Sequence, residues 1–155
     1  MRYSLFLGMA AMLGTVTGCS STYDIQAKMV DGKVTFVPDT GIFGGPDCIG
    51  SITVETEDGP PAAATPGDDL DAISRGTYWE ETFASPSCEN LFPITYGAKL
   101  VGPPFIYDDD TIKSVKPKPL LKGVIYTVSA RSSGSAYGGG KFRLTNEGRI
   151  ENLQR

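Results

Sequence analysis

Beyond residue 22, apolar and polar positions alternate with a period of two through much of the chain, a pattern that predicts strands with one buried face. Tyr23, Ile25, Ala27 and Met29 are interleaved with Asp24, Gln26 and Lys28, and the pattern resumes after Asp31-Gly32 in Lys33–Val37. Asp-Gly between two such runs predicts a type I′ hairpin, because both central residues tolerate positive φ. Pro38 is expected to stop the ladder, having no N–H to give. Cys48–Glu55 predicts a third strand, with Cys48, Ile52 and Val54 on one face. Thr77–Phe83, with Tyr78, Trp79 and Phe83, predicts a fourth. Phe92, Ile94 and Tyr96 share a face in Leu91–Leu100, and Gly123–Arg131 is the longest such run. Lys141–Leu144 is the last full strand expected, with Phe142 and Leu144 inward. Glu147-Gly148 then turns the chain so that Ile150 and Leu153 anchor its end.

The connections are rich in Gly, Pro, Ser and Asp. Asp39–Asp47, the stretch from Glu57 to Gly67 and the Gly/Ser-rich Ser132–Gly140 are expected as loops. Asp68–Ile73 predicts one helical turn with acids first, as the helix dipole prefers. Pro103-Pro104 and Asp108–Asp110 mark an exposed connection that continues through Lys113, Lys116, Pro117, Lys118 and Pro119. Lys and Pro in that spacing favour an extended, polyproline-like backbone. Without an internal repeat or a second domain, short strands broken by Gly and Pro predict a single, mostly antiparallel β-sandwich domain over residues 23–155.

Met1–Cys19 has a different pattern. Arg2 is followed by an uncharged, largely apolar run from Leu5 to Val16, closed by Val16-Thr17-Gly18-Cys19. A positive start, a short apolar stretch and small residues before a cut site describe an export signal. The run is too short to span a hydrocarbon layer, which takes about 20 apolar residues as a helix. Val-Thr-Gly-Cys resembles the lipobox of bacterial lipoproteins. That resemblance implies a signal peptide over residues 1–18, diacylglyceryl and acyl chains on Cys19, and a short tether over residues 19–22. In Gram-negative sorting, Ser20 after the lipidated Cys resembles the pattern sent to the outer membrane, with the domain facing the periplasm.

Removing the leader takes the net charge from −4 to −5, which argues against a nucleic-acid partner. The charge is unevenly distributed. Cys19–Thr111 holds four Lys or Arg against sixteen Asp or Glu, whereas Ile112–Arg155 holds nine against two. Neighbouring strands that neutralise one another account for this, and a basic face aimed at an acidic partner is the alternative. There is no His, which removes His-dependent triads and dyads, His-ligated zinc and the usual neutral-pH switch. With Cys19 acylated, Cys48 and Cys88 remain, and an even pair in an exported chain is most simply a disulfide. Such a bridge closes a loop of about 40 residues, for which chain entropy gives about 4 kcal/mol.

Carboxylates are the main acid–base groups left. Glu80-Glu81 and Asp108–Asp110 are candidates for glycoside hydrolysis, which takes two carboxyls about 5–9.5 Å apart. Strand neighbours point to opposite faces, so Glu80 and Glu81 do not make that pair alone. Asp68, Asp69 and Asp71, like Asp108–Asp110, lack the spacing of a calcium loop. Gly138–Lys141 has glycines beside a lysine, but Phe142 stands where a P-loop needs Ser or Thr. No metal or cofactor is expected. Phe43, Phe105, Tyr107 and Tyr137 lie beside Gly or Pro, where they either fold over the ends of the domain or meet a partner.

A second resemblance covers most of the mature chain. The order of hairpin, Cys48, Trp79, Cys88, Tyr96-Gly97, Gly123–Val128 and Lys141–Leu144 is similar to that of small periplasmic lipoproteins, some of them immunity-like proteins of type VI secretion. It implies a protein partner and carries over no site residues. The expectation is therefore a membrane-anchored envelope lipoprotein that binds a protein without catalysis. Tyr107, Lys113, Lys116, Lys118 and Tyr137 are its candidate contacts. A carboxylate-based hydrolase of cell-wall glycan is the alternative.

Overall fold

The computed structural model describes residues 22–39, 48–87, 89–108, 111–132 and 136–154. Eight strands and one short helix follow in order: β1 (Thr22–Val30), β2 (Lys33–Asp39), β3 (Ile49–Thr56), α1 (Leu70–Arg75), β4 (Thr77–Ser87), β5 (Ile94–Thr95), β6 (Ile125–Ser132), β7 (Tyr137–Leu144) and β8 (Ile150–Leu153). All the strands belong to one sheet, ordered β4-β3-β6-β7-β1-β2-β5, with β8 also paired to β7. The sheet curls into a half-barrel, and no second sheet lies among the described residues.

Local sequence explains much of this. Asp31 and Gly32 take φ of 48° and 74°, the left-handed pair a type I′ turn demands, and β1 and β2 close on it in register from Val30↔Lys33. Pro38 does not end β2 as expected. It pairs opposite Ile25, and alternation from the turn makes this a pair that exchanges no hydrogen bonds, so the missing N–H falls on the side away from β1. The partner on that other side, β5, meets only Thr35 and Phe36. Leu91–Leu100 contributes just Ile94 and Thr95 as strand, although Phe92, Ile94 and Tyr96 all pack inward as the alternation predicts.

The glycine-rich run departs furthest from expectation. Gly138–Gly140 lie inside β7, where β1 runs parallel to it from Thr22↔Tyr137 to Asp24↔Gly139. A Cβ on Gly138 would stand 2.0 Å from the Tyr23 ring, and one on Gly140 would stand 1.8 Å from the Ile25 carbonyl oxygen. Glycine is needed because β1 crosses where those side chains would be. Beyond the crossing, β8 takes over the same edge of β7, from Leu144↔Ile150 to Lys141↔Leu153.

The concave face is filled by aromatic rings in a continuous series. Trp79 meets Tyr96 at 5.4 Å between centroids, Tyr96 meets Phe36 at 6.5 Å, and Phe36 meets Phe142 at 5.7 Å. Phe142 stacks on Tyr126 at 5.6 Å, and Tyr126 meets Tyr78 at 5.1 Å. Tyr78 and Trp79 are consecutive yet both buried, because the β3–β4 register shifts between Val54 and Glu55. A bulge there turns both side chains inward. Such contacts are worth about 0.5–1.5 kcal/mol each beyond the area they bury. Cys48 is buried at the start of β3, at 3% exposure. Cys19 and Cys88 lie outside the described residues, as do the leader, most of the tether and Phe43.

Candidate functional site

β4 is the terminal strand of the sheet order, and its outer side is an edge that could pair with another chain. Here it is covered by the connection between β5 and β6. The Ala84 N–H donates to the Pro103 carbonyl at 3.0 Å and the Phe105 N–H to the Thr82 carbonyl at 2.9 Å. Glu80 and Val115 exchange both main-chain bonds, at 2.9 and 3.0 Å, and the Lys118 N–H reaches the Tyr78 carbonyl at 2.9 Å. Between those two stems the chain leaves the edge as a small ribbon. Ile106 bridges to Ile112, and the Tyr107 N–H donates to the Thr111 carbonyl at 3.0 Å.

The stems of the ribbon carry exposed apolar side chains, with Asp108 exposed beyond them. Phe105, Ile106 and Ile112 are 39%, 59% and 52% exposed. Phe105 and Tyr107 make an edge-to-face pair at 4.8 Å, and the Lys113 ammonium lies 4.8 Å above the Tyr107 ring. That contact is within cation–π range and leaves a cation beside the apolar side chains. A groove of about 210 Å³ separates the ribbon from β4, lined by Glu80, Phe83, Pro104, Ile112, Val115 and Pro117 among others.

Buried charge holds the second stem. Lys118 is 5% exposed, and its ammonium donates to the Thr65 hydroxyl at 2.8 Å and to the Asp68 carboxylate. Asp68 also accepts the Thr65 hydroxyl at 2.8 Å and the Lys116 N–H at 2.9 Å. Burial pushes the Asp68 carboxyl up. The Lys118 ammonium, the Lys116 and Thr65 N–H groups and the Thr65 hydroxyl outweigh burial and hold it well below the usual carboxylate range. The next residue, Asp69, caps α1, its side chain taking the N–H groups of Asp71 and Ala72. The Tyr96 hydroxyl ties the same stem to the core, 2.8 Å from the Lys118 carbonyl and 3.0 Å from that of Tyr78.

This geometry divides the residues expected at a binding surface. Tyr107 and Lys113 stand together on the ribbon. Lys118 is not offered to solvent, because its ammonium is the counter-ion of Asp68. Lys116 is exposed, yet its ammonium is held by the Pro66 carbonyl at 2.6 Å. The exposed lysine segment expected from the Lys/Pro spacing is thus a stem packed on the edge of β4. Tyr137 opens β7, three strands from β4 in the sheet order, so it shares no patch with Tyr107. Ile106 and Ile112 were not anticipated, although Phe-Ile-Tyr, three acids and then Thr-Ile is the pattern of two short strands about a polar turn.

The carboxylates beside the groove are split by the strand. Glu81 accepts the Trp79 indole N–H at 3.1 Å. Burial raises its carboxyl above the usual range, and that bond offsets part of the rise. Glu80 is raised by burial and then by the charges of Asp69 and Glu55, which Arg75 and Lys113 counter in part. Among the described residues no group of three carboxylates or thiols converges to hold a metal ion, and no helix is long and apolar enough to cross a membrane. No protein-family model matches this chain, and neither a curated protein nor a solved structure does.

Proposed function

We propose that the chain is an envelope lipoprotein, anchored by acyl chains on Cys19, whose domain binds a protein through the Ile106–Ile112 ribbon and catalyses no reaction. In this reading it sits in the outer membrane and faces the periplasm, as Ser20 suggests by its place after Cys19. The observation that carries the binding role is the ribbon itself. Two isoleucines more than half exposed stand off the edge of β4 on stems held by main-chain bonds and a buried ion pair. Exposed apolar side chains of this kind, on stems tied to the sheet, suit contact with an apolar protein patch. Lys113 adds a cation suited to an acidic group at the rim of that patch.

A Cys48–Cys88 disulfide belongs to the same reading. Cys48 is buried, where a bridge would be sheltered. Ile49 and Ser87, each next in sequence to one of these cysteines, pair across β3 and β4, which supports the bridge. That pairing would leave the sulfur of Cys19 to the lipid.

The test is photo-crosslinking from position 106 and, separately, from position 112 of the acylated protein in intact envelopes. The same protein should be joined from both positions. The variant Ile106→Asp/Ile112→Asp should lose the partner at unchanged Tm, whereas Val30→Asp, at an exposed apolar site on the β1–β2 hairpin, should keep it. Capture that survives the double substitution overturns the reading. Mass spectrometry of the peptide containing residue 19 tests the anchor separately.

Glu80 favours the alternative of a glycan hydrolase to one degree. It is a carboxyl raised by burial and by neighbouring acids at the side of a groove, the condition a general acid needs. Release of reducing sugar from peptidoglycan, lost in Glu80→Gln, would establish it.

A further inference from the structure

We infer that the end of the half-barrel at which β1 begins is a membrane-facing surface, with Leu91, Val101 and Tyr137 set into the lipid boundary. The inference rests on the acyl anchor proposed above. Strand register places these residues at one end. Thr22 pairs with Tyr137, Arg131 lies opposite Tyr137 on β6, and Ile49 pairs with both Ser132 and Ser87. Tyr23 joins this rim to the next segment: its hydroxyl lies 2.9 Å from that of Ser132, and its ring meets Phe92 at 6.1 Å.

Leu91 and Val101 flank that contact on rigid backbone. The Asn90 side-chain amide takes the Val101 N–H at 2.8 Å and gives a hydrogen to the Val101 carbonyl at 2.7 Å, and the Asn90 carbonyl accepts the Ile49 N–H at 3.0 Å. Leu91, Val101 and Tyr137 are 51%, 49% and 47% exposed. An aromatic ring with an arginine beside it and two aliphatic side chains nearby make up the mixture favoured where acyl chains meet headgroups.

The length of chain between anchor and fold supplies the direction. Cys19 stands three residues before Thr22, and a fully extended chain covers at most about 3.6 Å per residue. An acylated Cys19 therefore keeps Thr22 within about 11 Å of the lipid boundary, only a few ångströms beyond a headgroup layer of about 5–8 Å on each side. So short a lead favours an orientation with this rim toward the bilayer. The Asp31-Gly32 hairpin, at the far end of β1, then points away from the bilayer.

The test uses the full acylated protein in vesicles of phosphatidylethanolamine and phosphatidylglycerol, labelled by a lipid-soluble diazirine and mapped by mass spectrometry. Leu91, Val101 and Tyr137 should be labelled more than about fivefold above Val30, as expected for side chains about 5–10 Å into the boundary. The variant Leu91→Ser/Val101→Ser/Tyr137→Ser should lose the rim labelling while remaining acylated and folded. An acylated residue 19 with the rim labelled no more than Val30 overturns the inference and leaves the anchor standing. An unmodified residue 19 with no protein in the vesicle fraction overturns both.

Discussion

The side-chain amide of Asn152 pairs with the main chain of Ala27 as a neighbouring strand would, its Oδ1 accepting the Ala27 N–H at 2.8 Å and its Nδ2 donating to the Ala27 carbonyl at 2.9 Å. Beyond the crossing at Gly140, β1 has left β7 and β8 has taken its place, so this amide spans the gap between β1 and β8. Asn152→Ala removes both partners from a residue that is 1% exposed. The expected cost is about 1–3 kcal/mol, read by denaturant unfolding, with faster hydrogen exchange at the Ala27 amide. Asn152→Asp keeps the acceptor but sets a carboxylate oxygen against the Ala27 carbonyl, and should be no more stable than Asn152→Ala at neutral pH.

The Asp68–Lys118 pair makes stability fall in acid. The Asp68 pKa is depressed in the fold, so its contribution is complete above the ordinary value of 3.8 and is lost as pH falls through the folded value. Either Asp68→Asn or Lys118→Met leaves one buried charge without its counterpart, with an expected loss of about 3–5 kcal/mol at neutral pH. Melting curves from pH 7 to pH 2 should show the gap between parent and Asp68→Asn closing below pH 3.8. A constant gap would show that Asp68 is not the titrating group.

Glu80 has the opposite sign. Its folded pKa lies above the ordinary 4.5, so the charged form opposes folding at neutral pH, and the parent gains stability as pH falls toward that value. Glu80→Gln should raise Tm at pH 7, with an advantage that shrinks as the parent takes up its proton. A Tm lowered at pH 7 would indicate that the carboxylate makes a bond the amide cannot.

Two glycines separate steric need from conformational need. Gly140→Ala drives a methyl group into the Ile25 carbonyl, a contact no side-chain adjustment relieves, and should lose more than about 4 kcal/mol or fail to fold. Gly148→Ala has open space around the added carbon but φ of 78°, and should cost about 1–2 kcal/mol. Urea unfolding of the two variants measures the difference.

What the sequence made legible was set by neighbouring residues along the chain. The Asp31-Gly32 turn, the alternation in β1, β3 and β6, and the helical turn expected over Asp68–Ile73 all follow from local chemistry, and each lies within two residues of where the pattern puts it. Contacts from distant segments decided the rest. Gly138–Gly140 reads as loop because glycine has low strand propensity, yet it is strand because β1 needs the space above it. The stretch from Pro103 to Lys118 reads as solvated because it carries Lys and Pro, while Lys118 is buried against a carboxylate 50 residues earlier. Tyr107 and Lys113 were legible as candidates one by one. Their contact, and the two isoleucines beside them, depended on a ribbon whose stems are defined by β4.

The pairing of β1 with β7 also fixes when the sheet can be finished. β1 is the first strand along the chain and an interior one, but one of its neighbours comes more than a hundred residues later, and Asn152 reaches Ala27 across 125. The hairpin of β1 and β2 can form early, but its inner side has no companion until nearly the whole polypeptide is available. Long-range closure of this kind slows assembly. A protein emerging N-terminal side first would therefore carry an unsealed seam until its closing segment arrived.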